Sequence, residues 1–398
     1  MHMLLVGAWP ELANQLVGLP ARVSLLQQPK SVDGREQEWA HRYVEVEYGE
    51  VDAAVAVAER IHHQDPVDVV VGFREFALPA VAAIARALDL PSVPGPVDTL
   101  GLDKAEVRDL IRDGAARVVR HRVCRTEQDV HGFAAEAGFP LILKPAGGAG
   151  SIGVHAVRDA AGLADAWRHA SAAAAGAAVL AEELVTGPEY SVETRSAGGR
   201  HEVVAVTEKL TTGAPHFVEV GHLVPARLPA RVAETLGAEA LRAVAATGHR
   251  TGPCHVELIL TGEGPAIVEI NRRPGGDRIW ELVRLATGRD IMAESLWDAA
   301  GAEPPIGTRS AAAAIRFLTP TGPATVAEVL PRDAAIGVPG FLRGVISVPG
   351  PGAEVEPASS SLGRFGYVLV AGADAESAAA AAEQARARVD EELFVPRP

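Results

Sequence analysis

The sequence predicts an α/β chain of several units that turns α+β towards its C-terminus, and three observations carry that expectation. Residues 1 to 95 alternate strand-like runs with helical ones. A glycine-rich stretch, GGAGSIG, lies between two short β-like segments. Two alternating segments in CHVELILTGEGPAIVEINRR read as a hairpin that carries acids.

In the first unit, 1–95, the runs MLLVG, RVSLL, VDVVVGF and PSVPG read as strands, and DAAVAVAERIHH and PAVAAIARALD read as helices. That alternation is the pattern of a small parallel domain. Pro91, Pro94, Gly95 and Pro96 mark its end. A second unit, 96–185, holds the helix KAEVRDLIRDG from Lys104, an apolar strand over 139–143, the glycine loop and an alternating segment from Val154 to Val157. Its alanine-rich run AWRHASAAAAGAA reads as a helix ending near Gly176, because alanine is the best helix former. A third unit, 186–300, contains the acidic hairpin and the helix RIWELVRLATG, closed by Gly288. The remainder, 301–398, is an α+β region with short strands, the strand FGYVLVAG and the helix ESAAAAAEQARARVDEEL.

At 398 residues, 48% hydrophobic and 22% charged, the chain has the composition of a soluble enzyme with several cores. Its net charge of −14, with no run of basic residues, argues against a nucleic-acid partner. Cys124 and Cys254 form no C-x-x-C pair, so a reducing, cytoplasmic setting is expected rather than a disulfide framework. Cys254 beside His255 reads as strand filling, not as a metal pair. The opening MHMLLVG lacks the basic residues of a signal peptide, and no apolar stretch reaches the roughly twenty residues of a membrane helix.

Glu257 and Glu269 can face each other across the hairpin, whose turn holds Gly262, Gly264 and Pro265. Asn271, two residues beyond Glu269, then lies on the same face. Two carboxylates and an amide oxygen are hard ligands suited to Mg²⁺ bridged by phosphates. The competing reading makes both acids solvated residues of an edge hairpin. Lys144 tells against it. An apolar strand delivers this lysine and Pro145 into a loop of glycines, whose backbone N–H groups can approach phosphate oxygens closely. Gly148, Gly150 and Gly153 satisfy G-x-G-x-x-G, but a strand follows rather than a helix, so dinucleotide binding is not implied. The chain has no Gly-Lys pair, which excludes a Walker A loop.

Lys104 after Asp103, Lys144 with its loop, AEELVTGPEYSVE, and then Glu257, Glu269 and Asn271 in that order resemble the nucleotide site of the ATP-grasp superfamily. Through HFVEVGHLVPA and EINRRPGGDRIWELVRLATGRD the chain is most similar to its carboxylate-amine ligases of the L-amino-acid ligase (dipeptide synthetase) type. The resemblance covers about residues 1 to 300, and the rest more weakly. It implies an ATP-grasp fold: an N-terminal parallel α/β domain, a central nucleotide-binding pair of subdomains and a C-terminal α+β region. It also implies ATP with Mg²⁺, Mn²⁺ being an alternative ion. Lys104 and Lys144 would contact the phosphates, covered by Gly147, Gly148, Gly150, Ser151 and Gly153. Glu182, Glu183 and Val185 would hold adenine, and Glu189 the ribose hydroxyls. Glu257, Glu269 and Asn271 would bind the metal, and Arg273 would steady an acyl phosphate. Glu219 and His222 would meet the amino-acid substrate, and Gly276 and Asp277 would border the carboxylate-donor pocket.

Glu75, in GFREF at the end of a parallel strand where ligands gather, is a further candidate for reading an amino group. Structural readings compete throughout. Lys104 could be an exposed helix start, and Glu182 and Glu183 a charged strand end. Arg273 could pair with Glu269 or Asp277, and Asp277 could cap the helix from Arg278. His216, Glu219 and His222 would form a zinc face only on a helix, and Pro215 and Gly221 argue for extended chain.

The activity so implied is an ATP-dependent ligation of a carboxylate to an amine through an acyl phosphate, both substrates being small molecules. Alternatives are another acceptor (ammonia, an amino sugar or a carrier thiol) or a non-catalytic ATP-binding regulator. Homodimer formation is left open.

Overall fold

The computed structural model describes residues 1–29, 36–95, 104–147, 152–214, 216–304 and 307–397. Gly148, Gly150 and Ser151 of the expected phosphate cover lie outside these residues. The first sheet is parallel, in the order β3-β2-β1-β4-β5, with β1 (His2–Val6), β2 (Arg22–Gln27), β3 (Arg42–Glu45), β4 (Val69–Val71) and β5 (Ser92–Val93). β1 and β4, inside the sheet, are buried on both faces because both faces are covered. Leu4, Val6, Leu26 and Val70 pack on helices α2 (Val51–Gln64) and α3 (Leu78–Leu88), which follow the four-residue α1 (Glu36–Trp39). Met3, Leu5, Leu25 and Val71 face the other way, into a core shared with later helices. β3 and a 3₁₀ segment, Pro10–Leu16, were not among the expected elements. β3 is four half-buried or exposed residues, too short for a visible alternation.

After α4 (Lys104–Leu110) comes an antiparallel sheet in the order β6-β9-β7-β8. It comprises β6 (His121–Cys124), β7 (Leu141–Pro145), β8 (His155–Val157) and β9 (Val179–Glu183). α5 (Glu127–Ala137), started by a Thr126/Asp129 capping box, and α6 (Leu163–Ala174) bury one face through Phe133, Leu141, Leu143 and Ala166. The opposite face carries Ile142, Lys144 and Glu182. β7 and β8 pair antiparallel, so the glycine loop is the tip of a hairpin, as expected from the strand-like residues after Gly153.

The third sheet is antiparallel throughout, in the order β14-β13-β10-β11-β12-β15-β19-β17. It begins with β10 (Glu189–Ala197), β11 (Arg200–Thr211), β12 (Glu219–Val224), β13 (Gly252–Thr261) and β14 (Gly264–Asn271). α7 (Ala230–Ala246) covers one face through Leu236, Ala240 and Val244 against Val192, Val256 and Leu258. α8 (Ile279–Thr287) and α9 (Ile291–Ala299) lie between this sheet and the first one, in a single core with Met3, Leu25 and Val71. The last region adds β15 (Ala312–Phe317), β16 (Ala324–Val326), β17 (Phe341–Ile346), β18 (Glu354–Val355), β19 (Gly366–Gly372), α10 (Ala375–Leu393) and β20 (Phe394–Pro396). β15 pairs directly with β12, so the strands after residue 300 extend the same sheet rather than opening a new one. α10 packs its alanines on Leu223, Ala314 and Val368, while β16, β18 and β20 form a small separate sheet. Among the described residues no helix is long and apolar enough to cross a membrane.

α8 ends at Gly288 in the left-handed conformation, as expected, but its start differs from expectation. The residue before it is Arg278 at φ 62°, with no side-chain cap, and Asp277 precedes that at φ 51°. Asp277 is therefore not a helix cap, because its carboxylate is engaged elsewhere.

Candidate functional site

Five adjoining strands of the third sheet turn one polar face towards a cavity of about 740 Å³, within the range of small-molecule sites. The period of two puts Glu189, Ser191 and Glu193 of β10 on that face. Register then aligns the neighbours. Glu257 stands opposite Glu269, His255 opposite Asn271, and Lys209 opposite both Glu189 and His222. A bulge after Glu257 gives β14 one extra residue there, ending the regular alternation beyond the two acids.

The acids are held by cations. Lys209 Nζ lies 2.8 Å from Glu257 and 3.6 Å from Glu219, and Lys104 Nζ lies 3.2 Å from Glu269. His255 bridges Glu193 Oε1 (2.7 Å, through Nδ1) and Glu257 Oε1 (3.0 Å, through Nε2), and Ser191 donates to Glu193 at 2.8 Å. Burial alone would lower the His255 pKa, yet the charge and hydrogen bond of Glu193, with those of Glu257, raise it to about 9. Burial opposes ionisation of Glu257 too, but Lys209 and His255 outweigh it and hold the carboxyl well below the usual range. Lys209 moves the other way. Its burial is overcome by Glu257, Glu219 and Glu189, which keep the ammonium charged. Glu189, buried and near Glu257 and Glu219, has its carboxyl pushed up.

Across the cavity, Lys144 Nζ lies 2.6 Å from Glu182 Oε2, and Arg108 Nε lies 2.6 Å from Glu182 Oε1. Burial would raise Glu182, but the two cations pull it down to about 2. Burial, with the like charges of Arg108 and Lys104, lowers the Lys144 ammonium against the pull of Glu182. Glu183, next in β9, points to the opposite side of its strand. Its carboxylate accepts hydrogen bonds from Arg117 (2.9 Å) and from the backbone and side chain of Arg120 (2.8 and 3.1 Å). The Glu183 side chain is thus committed to structure. The 182–187 segment still lines the cavity, Val185 included.

At the other end, Arg273 is ion-paired with Glu75 and donates to the Pro274 carbonyl at 3.0 Å. Two sequence candidates are brought together here, and neither expected Arg273 partner, Glu269 or Asp277, is used. Asp277 accepts a two-pronged bond from Arg364, 2.6 Å on each oxygen, and lies 3.3 Å from His222 Nε2. Burial opposes ionisation there as well, but Arg364 and His222 hold the carboxyl far below its ordinary range. Gly275 must be glycine. A Cβ there would stand 2.8 Å from His255 Nδ1 and 3.1 Å from Glu193 Oε2. Cys254 faces away from His255, buried in the α7 core, so the two form no metal pair.

Among the described residues no three His, Cys, Asp or Glu side chains are assembled as a metal cage. The two carboxylates and the amide of Asn271 nonetheless fit Mg²⁺ that arrives with a triphosphate. They are hard oxygen donors on one wall, and the ammoniums of Lys104 and Lys209 already pair with the charges a divalent ion would bridge.

Sequence reading missed Lys209, Arg108, His255 with Glu193, and Arg364 with Ser361. Arg108 was within reach, one helical turn after Lys104 on the same face of α4. Lys209 showed only as a lysine two residues after Thr207 at an inward strand position. Arg364 lies some 90 residues from Asp277, and no local pattern links them.

Family models described as ATP-grasp N-terminal domain, ATP-grasp domain and L-amino acid ligase C-terminal domain 2 match residues 18–92, 137–281 and 316–393. Carnosine synthase 1 of Gallus gallus is 34% identical over 185 residues, 44% of this chain and 20% of that protein. D-alanine–D-alanine ligase of Stutzerimonas stutzeri (strain A1501) is 32% identical over 187 residues, 44% of this chain and 56% of that one. The matched stretches thus span about a fifth and about half of those relatives. The crystal structure of an L-amino acid ligase from Bacillus licheniformis superposes with TM-score 0.81 at 23% identity, covering 100% of this chain and 99% of that one.

Proposed function

The chain belongs to the ATP-grasp ligases, and from that premise we propose that it joins the carboxylate of one amino acid to the amine of a second, giving a dipeptide, ADP and phosphate. One observation carries the reading. A row of acids with interleaved ammoniums, from Glu269 through Glu257 and Lys209 to Glu219, faces the Lys144–Glu182–Arg108 cluster across a cavity of about 740 Å³.

Adenine rests against the 182–187 segment, and Glu189 accepts from the ribose hydroxyls. Lys104, Lys144 and Lys209 hold the phosphates, under the loop that includes Gly147 and Gly153. Glu257, Glu269 and Asn271 would hold Mg²⁺, which would supply positive charge against the phosphate oxygens. As an oxygen of the substrate carboxylate bonds to the γ-phosphorus, the bridging oxygen leaves with ADP. Lys144 and Lys209 stabilise the charge that spreads over the phosphoryl. The amine then bonds to the acyl carbon, the nitrogen loses a proton, and phosphate departs with the electron pair of the broken C–O bond. Arg273 faces the oxyanion of that adduct, and Glu219 and His222 receive the amino-acid substrate. Exclusion of water from this end of the cavity would protect the acyl phosphate from hydrolysis.

Incubation with Mg²⁺, ATP and pooled amino acids tests the reading. Phosphate release that depends on one or two amino acids, with a dipeptide mass in the products, is expected. Tight ATP binding without amine-dependent release would refute it in favour of a regulator. A product mass carrying ammonia, an amino sugar or a thioester would move the acceptor to those classes.

A further inference from the structure

The Gly276–Asp277 turn lines the substrate end of the cavity together with Ser361, His222 and Ile279. Asp277 and Arg278 are consecutive non-glycine residues in the left-handed region, at φ 51° and 62°, a conformation that side chains adopt rarely and at a cost. Each is clamped from a different direction. Arg278 is bound by Glu11 of the first unit at 2.5 Å and by Glu281 at 3.1 Å. Asp277 is bound by Arg364, which arrives from the last region of the chain just before β19.

Arg364 is itself fixed on every side. Nη1 and Nη2 grip both oxygens of Asp277 at 2.6 Å, Nε donates to the Ser361 carbonyl at 2.7 Å, and Nη1 also reaches the Glu219 carbonyl at 3.2 Å. Its guanidinium lies 3.8 Å over the Phe317 ring. This planar, two-pronged and stacked geometry is one a lysine cannot reproduce. Arg364 does not line the cavity, whereas Asp277 does. The guanidinium therefore stands behind the carboxylate and neutralises it. Ser361 of the same segment donates to Glu219 Oε2 at 2.5 Å, tying the other acid of this end to the same turn.

Resting on the ligase reading above, we propose that Arg364 is the positioning residue that sets charge selectivity. By occupying both oxygens of Asp277 it makes the substrate end accept an amino acid with an uncharged side chain. A cationic side chain finds no free carboxylate there. The Glu219 carboxylate is likewise engaged, by Lys209 at 3.6 Å and by Ser361 at 2.5 Å, so neither acid leaves an unpaired charge for a cation and neither offers a donor to an anion. The neighbouring Ile279 supplies an apolar surface for a neutral group.

Norleucine and lysine share a four-carbon side chain, to which lysine adds a terminal ammonium, so their kcat/KM ratio reads the effect of that charge. The wild-type enzyme is expected to favour norleucine. Arg364→Gln frees the Asp277 carboxylate and should move the ratio towards lysine by about tenfold or more, the value of one charged hydrogen bond. The double variant Asp277→Asn/Arg364→Gln should return the ratio towards wild type. Equal loss for both substrates in Arg364→Gln, with a lowered Tm and no change of ratio, would overturn the proposal and leave the pair as a structural latch. If Arg364→Gln does not fold, Asp277→Asn supplies the test. It strands the guanidinium and should raise glutamate over norleucine, and an unchanged ratio there refutes the proposal. If the wild type releases no phosphate with any amino acid, the ligase reading fails on its own. The same ratios measured as binding by calorimetry, with Mg²⁺ and ADP present, then decide the selectivity.

Discussion

The Lys209 ammonium lies 2.8 Å from Glu257 Oε2, reaching across the intervening strand of the same sheet. One buried cation thereby restrains acids on three strands, since Glu189 and Glu219 also act on it. Lys209→Met should leave these carboxylates in mutual repulsion on the wall of a partly buried cavity. Unfolding in urea is expected to show a loss of about 3 kcal/mol, the scale for breaking a buried pair. Mg²⁺ with ADP should restore part of it, and stability that ignores Mg²⁺ would contradict the site.

His255 carries a pH signature. Its pKa is raised by Glu193 and Glu257, against burial, from the ordinary 6.5 to about 9. A raised folded-state pKa stabilises fully below the unfolded value and is lost as pH rises through the folded one. Stability should therefore decline between about pH 6.5 and 9, and His255→Gln should flatten that segment. A pH–stability curve with the same slope in both proteins would reject the assignment.

Glu269→Gln removes a charge from the cavity wall and not from a core. Activity should fall by about 10² to 10³, the cost of losing one preorganised group, with Tm near wild type. Near-normal turnover in this folded variant would remove Glu269 from the proposed metal set.

Arg273 and Glu75 form one ion pair, and two substitutions separate catalysis from docking. Arg273→Ala should depress kcat with little change in the KM for ATP, because the substrate charge it is proposed to steady develops only in the adduct. Glu75→Gln keeps the arginine and should cost well under tenfold in kcat. Equal kcat losses in both variants would make the pair a domain contact and nothing more.

Much of this was legible because it is local. Alternation placed Glu257 opposite Glu269, and the residues after Gly153 identified a hairpin tip. The polarity of each wall, by contrast, depends on strand order. Lys209 meets Glu257 only because β11 lies beside β10, and Arg364 meets Asp277 only because β19 joins the sheet beyond β15. Asp277 illustrates the limit. An aspartate before a helix is ordinarily a cap, and only a distant guanidinium draws it away.

The unbroken pairing of β12 with β15 limits how this protein can be divided. A fragment ending near residue 300 would keep nearly every group proposed to handle ATP, yet it would leave Glu219–Val224 with a bare row of N–H and C=O groups. Such an exposed edge is a template for any other extended chain. That fragment should self-associate rather than behave as a minimal catalytic unit, because the last region is what occupies this edge, continuing the sheet through β15 and β19 to β17.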